Sequence, residues 1–439
     1  MTECYDTLWS LIRTWEGSVA PALSFESAEG RPVTISYGSL FQKICAKAKD
    51  LTHTTVPLPF PCIKTPENIT DLFANLLVGN DLLMLDEKGE APGSIVLDPV
   101  PDLEPAVPGS TYREGVPEGH TLFFTSGTTS KSKAVVLSTK ALLCACKNGQ
   151  SLAACGPDDT ILAVLPLSHV FGFICSFLWG LCYGACIALG RTLREIFLDP
   201  GYFKPTIISA VPAMMDVFVR GGCLNPELRL VIIGAAPAKP ELLKALSDKG
   251  IEAHLGYGLT ETASGIALHT DDPDPLAFTP CPGANITIEE DGEISVVTDS
   301  IMDGYLNADT SAVLKDGKFY TGDFGFLDEN GRLHVTGRKK DIIVLPNGTK
   351  IFLPEYETEL MAVLGHEDIA VKDAGGHITL FVGSPLPNGM TTEDVSNAVD
   401  SFNLRKPRDH QIGNIVYEDR PLPRTATGKV MRYLLHAGY

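Results

Sequence analysis

The sequence has 439 residues, too many for one ordinary hydrophobic core, so we expect two or more globular units. Hydrophobic residues make up 44% of the chain and charged residues 20%, a balance that excludes an intrinsically disordered protein. The 35 Lys and Arg against 54 Asp and Glu give a net charge of -19, which disfavours broad contact with nucleic acid or an anionic membrane. An anionic ligand must therefore meet a local cluster of positive charge.

The first part of the chain alternates between strand-like and helical segments. Its N-terminus has acidic residues early and lacks the basic-then-apolar order of a secretory signal, so we expect the first helix there. Further along, apolar runs lie at 121–125, 161–166, 206–211 and 229–235, with helical stretches at 138–147, 212–220 and 239–248. Such alternation predicts an α/β fold with parallel sheets covered by helices.

One segment is apolar enough to cross a membrane. Residues 170–190 contain no charged side chain over 21 positions, which is the length that a bilayer requires. Four glycines interrupt the segment, and it follows a strand-like run without basic residues between them. We therefore expect a buried helix followed by a strand and no transmembrane segment, with a membrane protein as the alternative.

The pattern changes in the last third of the chain. After about residue 280, alternating segments interrupted by Gly and Asp predict antiparallel hairpins and a β-rich subdomain. From about residue 341 we expect a helix at 355–364, strands near 368–373 and 377–382, a helix near 392–402, and a final helix after Gly428. These roughly hundred residues have the size of a separate small α+β domain.

All eleven cysteines lie between Cys4 and Cys281, and their spacing matches no zinc site. Buried free thiols are typical of a chain in a reducing compartment. We therefore expect a cytoplasmic protein.

A loop rich in small and hydroxyl-bearing residues follows the strand at 121–125. It runs from Thr125 to Lys133 with the sequence TSGTTSKSK. Small residues let the backbone approach a ligand, N–H and hydroxyl groups donate hydrogen bonds, and lysine supplies charge, as a phosphate site requires. The loop does not match a P-loop, and a Ser/Thr-rich surface turn is the alternative interpretation.

Four further motifs follow the loop in order. They are YGLTE at 257–261, YTGD at 320–323, GRKKD at 337–341 and PRTATGK at 423–429. Together with the loop they resemble the signature motifs of the adenylate-forming superfamily, which includes acyl-CoA synthetases, adenylation domains of peptide synthetases and luciferases. The resemblance covers about residues 120 to 435 and is weak before them.

The resemblance to acyl-CoA synthetases implies a large N-terminal domain (1–337), a small mobile C-terminal domain (338–439) and a hinge at Lys340. It implies an enzyme that uses ATP and Mg²⁺ to activate a carboxylic acid as acyl-AMP, releases pyrophosphate, and transfers the acyl group to the thiol of CoA. The phosphopantetheine of an acyl carrier protein is an alternative acceptor. A nucleotide-binding protein without turnover is the alternative from a different class.

The resemblance also implies roles for individual residues. The ATP site would comprise Thr125, Ser126, Gly127, Thr128, Thr129, Lys133, Gly234, Ala235, Ala236, Tyr257, Gly258, Asp323 and Arg338. The loop would hold the β- and γ-phosphates, and Tyr257 would stack on adenine. Asp323 would accept hydrogen bonds from the ribose hydroxyls, with Arg338 assisting. Glu261 would bind Mg²⁺, and Thr260 would donate to a phosphate oxygen.

Two lysines and a histidine complete the predicted machinery. Lys429 resembles the catalytic lysine, which bridges the carboxylate and the α-phosphate. In relatives the small domain turns about the hinge, so that its other face, here near residues 345–350, covers a tunnel for the thiol. His169 lies in a segment that resembles the acyl-pocket motif and would sit at the pocket's mouth. Amino-acid-activating relatives have an aspartate in this motif, and its absence here favours an uncharged acyl or aryl tail.

Some positions depart from the family's pattern. Ser130, Ser132 and Ala134 stand where relatives have Gly, Pro and Gly, and these side chains either narrow the phosphate loop or lie outside it. The stretch around 51–118 matches the longer first subdomain of relatives poorly. The sequence decides neither the identity of the acid nor the oligomeric state.

Overall fold

The structure is a computed structural model of the chain. It describes residues 5–90, 117–125, 133–192, 194–236, 238–270, 274, 276–344, 350–374, 377–387, 389–424 and 430–436. Three groups of predicted site residues lie outside these ranges: Ser126 to Thr129 of the phosphate loop, residues 345–349 of the tunnel face, and Lys429.

The described residues form eleven α-helices and twenty-four strands. The helices are α1 (Leu8–Arg13), α2 (Tyr37–Asp50), α3 (Pro66–Leu77), α4 (Thr139–Gln150), α5 (Val170–Phe173), α6 (Trp179–Cys182), α7 (Asp199–Phe203), α8 (Pro212–Arg220), α9 (Pro240–Ser247), α10 (Leu353–Leu364) and α11 (Thr392–Asn403). The strands up to the middle of the chain are β1 (Pro21–Glu26), β2 (Pro32–Ser36), β3 (Leu58–Pro61), β4 (Leu82–Leu85), β5 (Thr121–Thr125), β6 (Lys133–Leu137), β7 (Thr160–Ala163), β8 (Cys186–Leu189), β9 (Ile207–Ala210), β10 (Leu230–Ile233), β11 (Glu252–Leu259) and β12 (Ser264–His269). The later strands are β13 (Ala277–Pro280), β14 (Ala284–Ile288), β15 (Glu293–Thr298), β16 (Gly304–Tyr305), β17 (Leu314–Lys315), β18 (Lys318–Leu327), β19 (Leu333–Arg338), β20 (Ile342–Val344), β21 (Lys350–Phe352), β22 (Ile369–Ala374), β23 (His377–Val382) and β24 (Asn414–Tyr417).

The largest sheet changes from parallel to antiparallel at β11. On one side of β11 the order is β2-β1-β8-β7-β9-β10, with all pairs parallel except β1 with the edge strand β2. The short strands β8, β9 and β10 are buried along their whole length, as expected when helices cover both faces of a sheet. This half confirms the predicted α/β fold with a parallel sheet.

The other half of the large sheet is the predicted β-rich subdomain. Beyond β11 the order continues β12-β13-β19-β18-β15-β14, all antiparallel, and β17 pairs with β18. A second sheet has the order β16-β6-β5-β4-β3. In it Thr125 at the end of β5 lies opposite Lys133 at the start of β6, so the two ends of the predicted phosphate loop are fixed side by side.

The apolar segment at 170–190 folds as a helix followed by a strand, as predicted. Helix α5 continues through a π-helical turn, Ile174–Leu178, into α6, and β8 follows. Most of its side chains are buried in the main hydrophobic core. Among the described residues no helix is both long and apolar enough to cross a membrane.

The residues after 342 form hydrophobic clusters of their own. One cluster joins α10, α11 and the sheet β22-β23-β24 through side chains such as Leu360, Leu380 and Phe402, and a smaller one contains Leu435. The α+β character predicted here is confirmed. The α-helix expected after Gly428 is wrong for the described residues, which contain only a 3₁₀ turn, Arg432–Leu434. A β-bridge between Val430 and Arg424 holds the backbone extended where that helix would begin.

Candidate active site

A cavity of about 810 Å³ lies beyond the ends of β5 and β10. It is lined by segments far apart in sequence, from Thr125 to Lys340. The predicted site residues among its lining are Thr125, Lys133, Gly234, Ala235, Gly258, Thr260, Glu261, Arg338 and Lys340. The fold therefore brings most of the described predicted residues together around one space of the size expected for a ligand site.

Four predicted residues do not line the cavity. Tyr257 and Asp323 do not line it themselves but adjoin the lining residues Gly256, Gly258 and Gly322, whereas Ala236 and His169 are exposed. Although His169 is exposed, partial desolvation lowers the pKa of its imidazole below the usual value. Val170 and Phe171 reach the cavity from this segment, and the Phe171 ring would lie within 2.9 Å of any Cβ placed at Gly234.

Strand register places Asp323 opposite Arg338. The two residues are Cα partners in the β18–β19 pair, and Arg338 Nε lies 2.8 Å from Asp323 Oδ1 as an ion pair. The Tyr257 hydroxyl donates to Oδ2 at 2.9 Å. Burial raises the pKa of the Asp323 carboxyl, while Arg338 and Tyr257 oppose that rise. Oδ1 is buried and has Arg338 as its one partner among the described residues, so this oxygen keeps the capacity to accept from a ligand hydroxyl.

Tyr305 connects the metal-binding candidate to the phosphate loop. Its hydroxyl donates to Glu261 Oε1 at 2.7 Å, and Lys133 Nζ lies 4.2 Å from the centre of its ring. Strand β16 holds it there, because Tyr305 pairs with Val135 on β6. Tyr305 stands in none of the sequence motifs, since the motif of Glu261 ends 44 residues earlier and only the fold brings the two residues together.

Lys340, predicted as the hinge, also lines the cavity. Burial lowers the pKa of its amine, and the nearby charges of Lys133 and Arg338 lower it further, against the opposing effect of Glu261. Neither Lys133 nor Lys340 forms an ion pair with a carboxylate of the described residues. Together with Lys315, which also lines the cavity without an ion pair among the described residues, they form the local positive cluster that an anionic ligand needs in a strongly acidic chain.

Three further charged residues line the cavity: Lys339, which stands in the motif at 337–341, and Glu293 and Lys315, which stand in none of the motifs. Lys339 pairs with Asp291 at 3.0 Å and with Glu293 at 2.9 Å, and Glu293 also accepts from the backbone N–H of Gly322 at 2.9 Å. Lys315 is exposed, with its amine 5.6 Å from the ring centre of Tyr320. Because Lys339 is neutralised by two carboxylates, it adds little net positive charge to the cavity.

Backbone strain is concentrated at the cavity. Ala235 and Ser264, both on its wall, have φ values of +66° and +97°, and Ala263 next to Ser264 has +50°. Residues with a Cβ rarely adopt such angles, which cost about 1–3 kcal/mol each and persist where the surrounding structure enforces them. The strained backbone at 263–264 follows directly on Thr260 and Glu261, so it helps to fix their position.

One part of the cavity wall, here called the apolar end, has no charged side chain among the described residues. Its lining residues are Ala145, Cys146, Gly149, Ala153, Val170, Phe171, Ile174, Cys175, Trp179, Leu268 and Cys281. All ten described cysteines are free thiols, as predicted. Burial raises the pKa of Cys175 to about 11 and that of Cys281 to about 12, so both thiols are uncharged at neutral pH.

The residues present fit ATP and a divalent cation. The Asp323 carboxylate, held by Arg338 and Tyr257, suits a ribose hydroxyl, and Lys133 and Lys340 suit phosphate oxygens. Among the residues that the structure describes, no cluster of three His, Cys, Asp or Glu is arranged to hold a metal ion. Glu261, which uses only Oε1 in its hydrogen bond to Tyr305, suits Mg²⁺, because this ion is commonly held by one or two carboxylates together with substrate phosphates and water.

Comparison with known proteins agrees with this geometry. The sequence model of the family described as AMP-binding enzyme matches residues 85–306, about half of the chain. The 2-succinylbenzoate–CoA ligase of Bacillus cereus is 33% identical over 345 residues, which cover 72% of this chain and 69% of the relative. The chain therefore belongs to the family of AMP-binding enzymes.

Solved structures show the same fold. The O-succinylbenzoate coenzyme A synthetase of Bacillus subtilis in complex with ATP and magnesium ion superposes with a TM-score of 0.73 at 21% identity, covering 97% of this chain and 98% of that one. The same enzyme with its acyl-adenylate intermediate gives a TM-score of 0.72 over 98% of both chains, again at 21% identity. The predicted fold class and the predicted class of enzyme, an AMP-forming acid–CoA ligase, are confirmed.

Replacing Asp323 tests the nucleotide site. We expect Asp323→Asn to weaken ATP binding by about tenfold or more, because the ribose hydroxyls of ATP lose a charged hydrogen-bond acceptor. Isothermal titration calorimetry with ATP measures the change. Asp328→Asn, in the turn of the same hairpin, is the control and should bind like the unaltered chain. Unchanged affinity in Asp323→Asn would contradict the assignment.

Replacing Tyr305 tests the cation site. Tyr305→Phe removes the hydrogen bond that orients the Glu261 carboxylate, so we expect the Mg²⁺ concentration for half-maximal activity to rise about 10-fold or more. Tyr320→Phe is the matched control, because Tyr320 lines the same cavity without a hydrogen bond from its hydroxyl to the described residues. If both variants reach half-maximal activity at the same Mg²⁺ concentration, the assignment of Glu261 as a Mg²⁺ ligand is rejected.

Proposed function

We propose that this chain activates a carboxylic acid with ATP and Mg²⁺ and transfers the acyl group to CoA. An oxygen of the acid attacks the α-phosphorus of ATP, the bond to the bridging oxygen breaks, and pyrophosphate leaves. The sulfur of CoA then attacks the carbonyl carbon of the acyl-AMP, AMP leaves, and the thiol proton passes to solvent. The products are the acyl thioester, AMP and pyrophosphate.

One observation carries this proposal. A single cavity combines unneutralised cations and a carboxylate at one side with an uncharged apolar end at the other. A polyphosphate requires the first environment and the tail of an apolar acid requires the second. Relatives named as CoA ligases favour CoA over the phosphopantetheine of a carrier protein as the acceptor.

We assign the following binding roles to the described residues. Thr125 and Lys133 bind the β- and γ-phosphates together with residues 126–129, and Thr260 donates to a phosphate oxygen. Glu261 binds Mg²⁺, which supplies charge stabilisation to the transferring phosphoryl group when bound. Asp323 and Arg338 hold the ribose. Gly234, Ala235, Ala236, Tyr257 and Gly258 surround the adenine, and His169 lies at the entrance for the acid.

The second step requires a change of arrangement. We assign residues 1–337 and 338–439 to two domains that turn relative to each other about Lys340, which brings first Lys429 and then the face at 345–350 to the reacting atoms. The hydrophobic clusters confined to residues 343–435 support a separate small domain. The ten free thiols support a cytoplasmic location, where disulfides are rare.

Pyrophosphate release with a panel of aliphatic and aromatic acids tests the proposal. We expect release that requires ATP, Mg²⁺ and an acid, and thioester formation when CoA is added. Lys429→Ala should lower the rate of acyl-AMP formation by about 100-fold, as expected when one charge-stabilising donor is lost. Lys244→Ala, an exposed lysine on α9, is the control. Nucleotide binding without pyrophosphate release from any acid would instead support a protein without turnover.

Lys340 offers a test of the two-domain assignment. Proline fixes φ and removes the N–H, so Lys340→Pro should retain acyl-AMP formation and lose thioester formation. Lys340→Ala removes the same amine but leaves the backbone free, so it should complete both steps with a higher KM for ATP. The two steps are measured separately as pyrophosphate release and as acyl-CoA by chromatography. If the ratio of acyl-CoA formation to pyrophosphate release is the same in Lys340→Pro and Lys340→Ala, the assignment of Lys340 as the hinge is rejected.

A further inference from the structure

Among the residues that the structure describes, the apolar end of the cavity offers no ionised partner to a charged group. Charged residues line the cavity at Lys133, Glu261, Glu293, Lys315 and 338–340, and none of the lining residues from α4 or from 170–182 is charged. The indole N–H of Trp179, the strongest donor there, already donates to Gln150 Oε1 at 2.7 Å. A second ionised group on the acid would therefore be desolvated without an ion pair.

Three cysteine thiols also favour an uncharged group at the apolar end. The side chains of Cys146, Cys175 and Cys281 reach the apolar end from three separate segments. Burial keeps all three thiols protonated, so they act as small polarizable apolar groups. Sulfur at such positions makes favourable contacts with aromatic rings. The lining thus suits an aromatic or aliphatic tail.

Gly149 leaves space in the floor of the apolar end. It lies near the C-terminal end of α4 and lines the cavity, and a Cβ built on it meets no atom within 4 Å. Its backbone has no left-handed φ, so a larger residue is not strained there. A side chain at this position would occupy cavity volume without displacing the surrounding protein.

We propose that the site accepts acids with one carboxylate and an uncharged apolar tail, rejects acids with a second ionised group, and uses Gly149 to set the length of the tail. This inference rests on the proposed function. The proposed substrate differs from the acid in the name of the relatives, 2-succinylbenzoate–CoA ligases, because 2-succinylbenzoate carries two carboxylates.

Three matched acids test the charge rule. They are 2-succinylbenzoate and the two monoacids that replace either of its carboxylates with hydrogen, 4-oxo-4-phenylbutanoate and 2-propanoylbenzoate. We expect kcat/KM for at least one monoacid to exceed that for the diacid by more than tenfold, measured as pyrophosphate release. A diacid used as well as or better than both monoacids would overturn the inference.

Gly149→Leu tests the length rule. With a series of ω-phenylalkanoates, the variant should lose at least about tenfold in kcat/KM for the longest acids that the unaltered chain accepts, and keep its rate with the shortest. Gly201→Leu, which makes the same change at an exposed glycine outside the cavity, is the control and should leave the profile unchanged. An unshifted profile in Gly149→Leu would overturn the role of Gly149.

A binding measurement keeps the inference separate from the proposed function. Trp179 lines the apolar end, so bound acid should change its fluorescence, and Trp179→Phe identifies that signal among the three tryptophans. Monoacid binding without pyrophosphate release would reject the proposed function and support the charge rule. Tighter binding of the diacid would reject the charge rule alone, and binding of none of the acids would reject both.

Discussion

An acid and a polyphosphate repel each other, and the cavity must hold both within bonding distance. Two unit charges 4 Å apart near a protein surface repel by about 4 kcal/mol, and ATP carries several. The chain meets this constraint although its net charge is -19, because Lys133, Lys315 and Lys340 reach the cavity without carboxylate partners among the described residues, whereas Lys339 is neutralised. Placement of a few ion pairs, rather than total charge, therefore decides where an anion binds.

The antiparallel half of the large sheet makes this placement possible. The register of β18 and β19 sets Arg338 against Asp323, and the chain leaves β19 directly into the turn that contains Lys339 and Lys340. The residue assigned to the hinge is thus held two positions from a residue assigned to the ribose. A turn of the small domain about Lys340 would move its amine relative to the phosphates, which couples the arrangement of the domains to the ligand in the cavity.

Sequence reasoning can propose site residues where they lie within one motif. Lys133, Glu261 and Arg338 each stand in a short segment with its own pattern of small and charged residues, and all three line the cavity. Tyr305 and Lys315 were missed, because they reach the cavity through pairing of β16 with β6 and of β17 with β18. The position of His169 was predicted from its motif, but the fold turns Phe171 rather than His169 into the cavity.

The sequence by itself determined the alternation of strands and helices, the family of AMP-binding enzymes and the polar residues of its motifs, because periodicity and short spacing are local properties. The tertiary structure decided which described cations of the cavity lack an ion pair, which partners hold the Asp323 carboxylate and which glycine lines the apolar end. Those properties depend on distances between segments such as α4, β12 and β18, and the distances are fixed only when the sheets pack and their registers are set.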